Sequence, residues 1–264
     1  MTEKEYRAHP AISRSDLWKL RESPEKFLYY REHPPEPTPS LLFGQVVHKL
    51  LLQPGGFDDE FAVAPDADKR TKDGKAVWND FYDVLGDRGI VTLADCEKAR
   101  QMAERCVTAP FCETLLAGTK ESPLFWTDDL TGEACKCRPD VLTEVGDRLI
   151  IADYKICADA STDAFMRDAI RYGYHMQAAM YSAGVEANTG RKPIFVFIAQ
   201  EKTEPYAVNV LQADELLVQN GYDVFRELLG IYHYCRESGN WYGFLGRDSI
   251  INNLSLPAWM AKGD

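Results

Sequence analysis

The sequence contains no C-x-x-C pair, no internal repeat and no low-complexity segment. No hydrophobic run approaches the ~18 residues of a membrane-spanning helix, and the N-terminus, Met1-Thr2-Glu3-Lys4-Glu5, has no apolar signal region. Lacking paired spacing, the seven cysteines form no disulfide framework of the secreted kind and suit a reducing compartment. Cys135 and Cys137 fall on a strand pattern, and Cys96, Cys106 and Cys112 on helical ones. All seven read as packing residues, so no iron–sulfur cluster is expected. A cytoplasmic protein with no membrane partner is the expectation. Positive charge is also short: 30 Lys and Arg stand against 41 Asp and Glu, a net charge of −11. That excludes a broadly basic surface. It does not exclude a basic cleft, because net charge governs solubility and non-specific binding rather than the lining of one site.

What the sequence does have is enough material for a core. It has 264 residues, 45% hydrophobic and 11% aromatic, which suits one large domain and argues against global disorder. The stretch that organises the chain runs from Cys135 to Lys155. It reads Cys135-Lys136-Cys137-Arg138-Pro139-Asp140 and then, after a turn at Val145-Gly146-Asp147, Leu149-Ile150-Ile151-Ala152-Asp153-Tyr154-Lys155. Two strands of a hairpin are expected, the second buried on both faces. Side chains alternate along a strand, so Asp153 and Lys155 share one face and Tyr154 takes the other. Arg138 and Asp140 share a face too if the first strand is regular. Two carboxylates and an ammonium at the end of a buried strand are costly unless they bind something. Oxygen ligands of this kind suit a hard divalent cation such as magnesium. A surface hairpin with an Asp153–Lys155 salt bridge is the other reading of the same residues.

Along the chain, residues 1–39 read as an N-terminal arm followed by short helices: an irregular stretch to Ile12, a serine-capped helix over Asp16–Leu20, and another from Pro24. Pro34 to Pro39 reads as a stiff connector. Ser40 is expected to cap a buried helix over Leu41–Leu52 that carries His48, with Gly44 letting that helix approach the sheet closely. His48 reads either as a core histidine bonded to a backbone carbonyl or as a metal ligand. Phe61-Ala62-Val63 suits a short strand. Lys69, Arg70, Lys72 and Lys75 read as a loop that could meet phosphate, or as an ordinary solvated loop balanced by Asp66, Asp68 and Asp73. Thr92 opens a helix to about Ala109. Glu121–Thr127 reads as a strand, and Glu121 is expected at the rim of the site, although it could add a carboxylate. Helices are expected over Asp163–Ile170, Tyr174–Asn188 and Asp214–Glu237, and strands over Ile194–Ala199 and Tyr206–Val210. Residues 240–264 form a loop-like tail with Pro257 and Trp259 near its end. The fold class expected is α/β, a restriction-endonuclease-like central mixed sheet flanked by helices in a single domain.

Asp140 followed by Asp153-Tyr154-Lys155 resembles the PD-(D/E)XK nuclease signature. With His48 on an earlier helix and Gln177-x-x-x-Tyr181 on a later one, the order resembles the RecB-like branch of that superfamily. Ile12-Ser13-Arg14-Ser15, Cys137-Arg138-Pro139-Asp140, Tyr174-His175-Met176-Gln177, Tyr181-Ser182 and Leu254-Ser255-Leu256-Pro257 extend the likeness to nuclease domains of the RecE exonuclease type. What the resemblance implies is a magnesium-dependent (or manganese-dependent) 5′→3′ exonuclease on linear double-stranded DNA. Such enzymes leave 3′ overhangs for a RecT-type single-strand annealing partner, and a ring tetramer is the implied assembly. His48, Asp140, Asp153 and the Tyr154 carbonyl would bind metal, Lys155 would activate water, and Gln177 and Tyr181 would brace the site or the scissile strand. Arg138, Arg14 and Ser15 are candidates for holding a 5′ phosphate. A flap or structure-specific endonuclease, or a catalytically silent DNA-binding or assembly module, are the alternative functions.

Overall fold

The structure is a computed structural model, and it describes Met1, residues 3–36 and residues 38–256. Pro37 of the expected connector, and Pro257 and Trp259 of the expected tail, lie outside the described residues.

A five-stranded mixed sheet has the order β10-β9-β8-β7-β4, formed by β4 (Thr119–Lys120), β7 (Val141–Val145), β8 (Arg148–Cys157), β9 (Ile194–Glu201) and β10 (Val208–Gln212). β8 and β9 run parallel, and the other neighbours are antiparallel. A parallel pair needs a long crossover. Here it is α9 (Thr162–Tyr172) and α10 (Tyr174–Thr189). The continuous apolar run of β8 follows from burial on both faces. Ile150, Ala152 and Tyr154 meet a core shared with α4 (Pro39–Leu52) and α7 (Leu93–Val107). Leu149 and Ile151 meet a core on the α10 side. The fold is therefore the expected α/β arrangement of a mixed sheet between helices.

Two smaller sheets flank it. β1 (Ile12–Ser13), β5 (Leu124–Thr127) and β6 (Ala134–Cys137) form one, in the order β1-β6-β5. It shares a core with α2 (Arg14–Leu20), α3 (Pro24–Glu32) and α11 (Glu215–Ser238). β2 (Phe61–Val63) and β3 (Gly89–Val91) pair in parallel, linked through α6 (Lys72–Leu85). The remaining helices are α1 (Glu3–Ala8), α5 (Phe57–Glu60) and α8 (Cys112–Leu115). No helix among the described residues is long and apolar enough to cross a membrane.

Several expectations are corrected. Cys135–Asp140 is not the first strand of the central hairpin: β6 ends at Cys137 in the small sheet, and β7 starts at Val141 in the large one. Pro139 offers no N–H to a ladder, so the chain changes sheets across Arg138-Pro139-Asp140. Arg138 and Asp140 consequently share no regular strand face. The expected arm contains α1, and the buried Lys136 ammonium donates to the carbonyls of Tyr6 and His9, 2.7 Å each, at the negative end of that helix. Thr38, not Ser40, caps α4, with Pro39 in the first turn. Lys72 and Lys75 stand on α6, Lys69 lies 3.6 Å from the Trp78 ring centroid, and Arg70 pairs with Asp68. A side chain at Gly44 would meet only open space, so that glycine serves no close helix–sheet approach.

Where α10 and α11 cross, Gly221 is essential. A Cβ there would fall 2.0 Å from the His175 carbonyl oxygen. Gly221→Ala should therefore destabilise by about 1–3 kcal/mol, the usual cost of overpacking. Gly230→Ala, on the same helix but facing open space, should be neutral or gain up to ~1 kcal/mol. Urea unfolding of the two variants makes the comparison, and equal stability would remove the crossing as the reason for the glycine.

Candidate active site

β8 sets the geometry. Alternation along the strand turns Asp153 and Lys155 to one side, and Tyr154 to the other, where its hydroxyl donates to Gln200. The Asp153 carboxylate is fully buried. Its Oδ1 accepts from Gln177 Nε2 at 2.5 Å. Its Oδ2 is ion-paired with the Lys155 ammonium but accepts no hydrogen bond of proper geometry. Burial pushes the Asp153 pKa up and the nearby Asp140 charge adds to the rise, while Lys155 opposes it; the result is about 6. Lys155 experiences the reverse balance. Burial lowers its pKa, but Asp153 and Asp140 more than offset that and keep it an ammonium.

Asp140 stands just before β7, across from β8. Its Oδ2 accepts the Tyr154 N–H at 2.8 Å and lies 2.9 Å from His48 Nε2. Burial would push its carboxyl up, yet His48, Lys155 and that N–H hold it below the usual range. His48 projects from α4 between two acids, with Nδ1 3.3 Å from Glu121 Oε1. Burial would depress the imidazole, but Asp140 and Glu121 reverse this and raise its pKa to about 10. His48 thus bridges two carboxylates, whose charges favour its protonated form, and is not bonded to a backbone carbonyl.

Glu121, expected at the rim, joins the cluster. The register of β4 on β7 pairs Lys120 with Val141, so the next residue falls opposite Asp140. The Glu121 N–H donates to the Asp140 carbonyl at 3.0 Å, and the residue adopts a left-handed φ of 48°. No local pattern around Glu121 signals this contact, because it depends on a pairing remote in sequence. Gln177 and Tyr181 share one face of α10 as expected. Gln177 holds Asp153, and burial first, then neighbouring charges including Asp153 and Asp140, drives the Tyr181 phenol well up.

Two arginines border the acids. Arg14 opens α2, donates to the Tyr172 carbonyl and lies over the Trp18 and Tyr174 rings at 5.7 and 5.8 Å. Its Nε and Asp153 Oδ2 are the two buried side-chain polar atoms left without a hydrogen bond among the described residues. Arg138 lies 5.0 Å from the Tyr6 ring centroid, and its charge helps to lower the Glu121 pKa. Ser15 is exposed on the first turn of α2, its hydroxyl 3.0 Å from that of Ser13. Tyr174, which sequence patterning did not single out, lies under the Lys155 ammonium at 5.1 Å.

No group of three or more His, Cys, Asp or Glu side chains among the described residues is spaced to enclose a metal ion. The chemistry of the donor set nevertheless fits a hard divalent cation. Asp140 and Asp153 supply oxygens, and Asp153 Oδ2 is held only by its ion pair with Lys155. His48 could add a nitrogen ligand in its neutral form, which its two acids disfavour.

No curated protein matches the sequence. Among solved structures, a protein from Eubacterium rectale described as a candidate exonuclease superposes with a TM-score of 0.67 at 17% identity, covering 97% of this chain and 95% of that one. That likeness shows the fold. The protein SSO0001 is similar at a TM-score of 0.37 and 12% identity, covering 86% of this chain and 81% of that one, too distant to carry any argument. Residues 13–244 match the family described as a PDDEXK-like domain of unknown function (DUF3799). With the match running from β1 past the end of α11, the chain belongs to this PDDEXK-like family.

Proposed function

We propose that this protein is a divalent-metal-dependent nuclease. The observation that carries the reading is the meeting of Asp140, Asp153 and Lys155, with Gln177 fixing one oxygen of Asp153 and the Lys155 ammonium ion-paired with the other. Asp140, Asp153, the Tyr154 carbonyl and a deprotonated His48 would hold the cation, magnesium or manganese. When bound, the cation supplies Lewis-acid charge to a phosphate and eases ionisation of water. The chain's own groups do the rest. Lys155 presents an ammonium to the attacking water and to charge developing on phosphorus. Gln177 keeps Asp153 in one orientation, and Tyr181 closes the buried side. Water oxygen bonds to phosphorus as it gives up a proton to solvent, the bond to the 3′ oxygen breaks, and the departing oxygen takes up a proton from solvent.

The finer reading is a 5′→3′ exonuclease on linear double-stranded DNA that leaves 3′ overhangs for a RecT-type annealing partner, working as a ring tetramer. Its support is the likeness to RecE-type domains, together with Arg14 and Arg138 beside the acids, where a guanidinium suits a terminal phosphate. Ser15 stands on the same first turn as Arg14. The test is digestion of linear duplexes labelled at the 5′ or the 3′ end, with a covalently closed circle as control, in magnesium, manganese or chelator. Early release of 5′ label from linear DNA only, and only with metal, is the expected result. Cutting of the circle would make the protein an endonuclease, and no cleavage of any substrate would leave a DNA-binding or assembly module. A 5′ hydroxyl should slow the wild type about tenfold, the worth of one lost charge-assisted contact. Arg138→Ala and Arg14→Ala should each reduce that discrimination, and full discrimination in both variants would remove them from the phosphate site.

A further inference from the structure

The Tyr174 ring is shared by two cations. The Lys155 ammonium lies 5.1 Å from its centroid and the Arg14 guanidinium carbon 5.8 Å. Nothing in the acid cluster requires an aromatic residue here. The ring is nevertheless held firmly. Phe165 stacks on it at 5.9 Å, with Tyr172 at 5.9 Å and Phe197 at 6.1 Å. The backbone just before it is fixed as well. Gly173 links α9 to α10 with a left-handed φ of +73°, and a Cβ there would lie 2.5 Å from the Trp18 ring. On the other side of Gly173, the Tyr172 carbonyl accepts from Arg14. One rigid helix joint therefore carries both the ring and an anchor for the guanidinium.

We infer that Tyr174 is a positioning residue: its ring holds the Lys155 ammonium and the Arg14 guanidinium at fixed places beside the acids. Each of the two cations is attracted to the electron-rich ring. Lysine is a point charge on a flexible four-carbon stem, so a face to rest on limits where its ammonium can go. Without the ring, the ammonium keeps only its ion pair with Asp153 and can tilt out towards solvent, and Arg14 keeps only its carbonyl anchor and Trp18. The placement of the two cations stands on the contacts alone. Its consequence for turnover rests on the nuclease reading.

Tyr174→Phe keeps the ring and removes the hydroxyl. Tyr174→Leu and Tyr174→Met keep bulk and remove the ring, and two such variants guard against a folding failure in one. In protein carrying carbon-13 lysine, the ε-methylene signal of Lys155, assigned by its loss in Lys155→Arg, should be displaced upfield by the ring. The displacement should persist in Tyr174→Phe and vanish in the ringless variants. On linear duplex DNA with magnesium, Tyr174→Phe should keep turnover within about twofold. The ringless variants should lose about tenfold in kcat with little change in KM, the scale of one partly buried cation–ring contact. An undisplaced wild-type signal, or one that stays displaced in Tyr174→Leu or Tyr174→Met, would overturn the inference. So would wild-type kcat in those variants. If the wild type itself cleaves no DNA, the nuclease reading fails, and the lysine signal still decides whether the ring holds the ammonium.

Discussion

Asp153→Asn should abolish metal-dependent DNA hydrolysis, with a loss of about 10³-fold or more, while the fold persists. Asparagine is nearly isosteric and can still accept from Gln177 Nε2, which now reaches Oδ1 at 2.5 Å. It brings no charge to a cation, and it turns an amide donor or a neutral oxygen towards Lys155, where an ion pair stands now. Cation binding and turnover should therefore fall together. The metal-free protein gives an independent signal. Burial raises the Asp153 pKa to about 6, above its unfolded value. A raised carboxyl pKa contributes stability that is complete below the unfolded value of ~3.9 and is lost as pH rises through about 6. Thermal unfolding without metal should thus drop more between pH 5 and pH 8 in the wild type than in Asp153→Asn. Wild-type nuclease rates in the variant would sink the site assignment. Parallel pH trends would sink the assignment of the raised pKa to Asp153.

The parts of this site that could be read from the sequence are those set by local periodicity. Leu149-Ile150-Ile151-Ala152 announces a strand buried on both faces. Period two then sends Asp153 and Lys155 one way and Tyr154 the other, as found. A four-residue spacing puts Gln177 and Tyr181 on one helical face. Contacts that depend on sheet register were not legible. Glu121 reaches His48 because two residues of β4 pair with β7, and nothing next to Glu121 in sequence encodes that. The strand assigned to Cys135–Asp140 failed for a legible reason given too little weight: Pro139 cannot donate to a ladder, so the chain leaves one sheet there and joins another. Nothing in the sequence around Lys136 signals that it is buried under the carbonyls at the end of α1. An ammonium with three donors can be buried wherever carbonyls converge, and that convergence is tertiary. Of the two readings open for the basic residues 69–75, Arg70 follows the one in which acids offset the charge, since it pairs with Asp68, while the Trp78 and Tyr82 rings against Lys69 are contacts that the local pattern did not signal.

Lys155→Ala should separate cation binding from turnover, and it should reveal how the site is balanced without metal. The ammonium neighbours a carboxylate that is fully buried and lies close to a second one. Removing one partner of a buried pair typically costs about 3–5 kcal/mol, because the remaining charge is left uncompensated. The metal-free variant should therefore melt well below the wild type. A divalent cation bound by Asp140 and Asp153 would supply the missing positive charge, so magnesium should raise the melting temperature of Lys155→Ala more than that of the wild type. Calorimetric titration should show cation affinity kept or strengthened, since one competing positive charge has gone. Turnover should still fall by about 10²–10⁴-fold if Lys155 faces the attacking water as proposed. Stability recovered by metal without activity is the result that assigns Lys155 to the chemical step. An active variant would remove it from that step. A variant equally unstable with and without metal would show that Asp140 and Asp153 do not hold the cation.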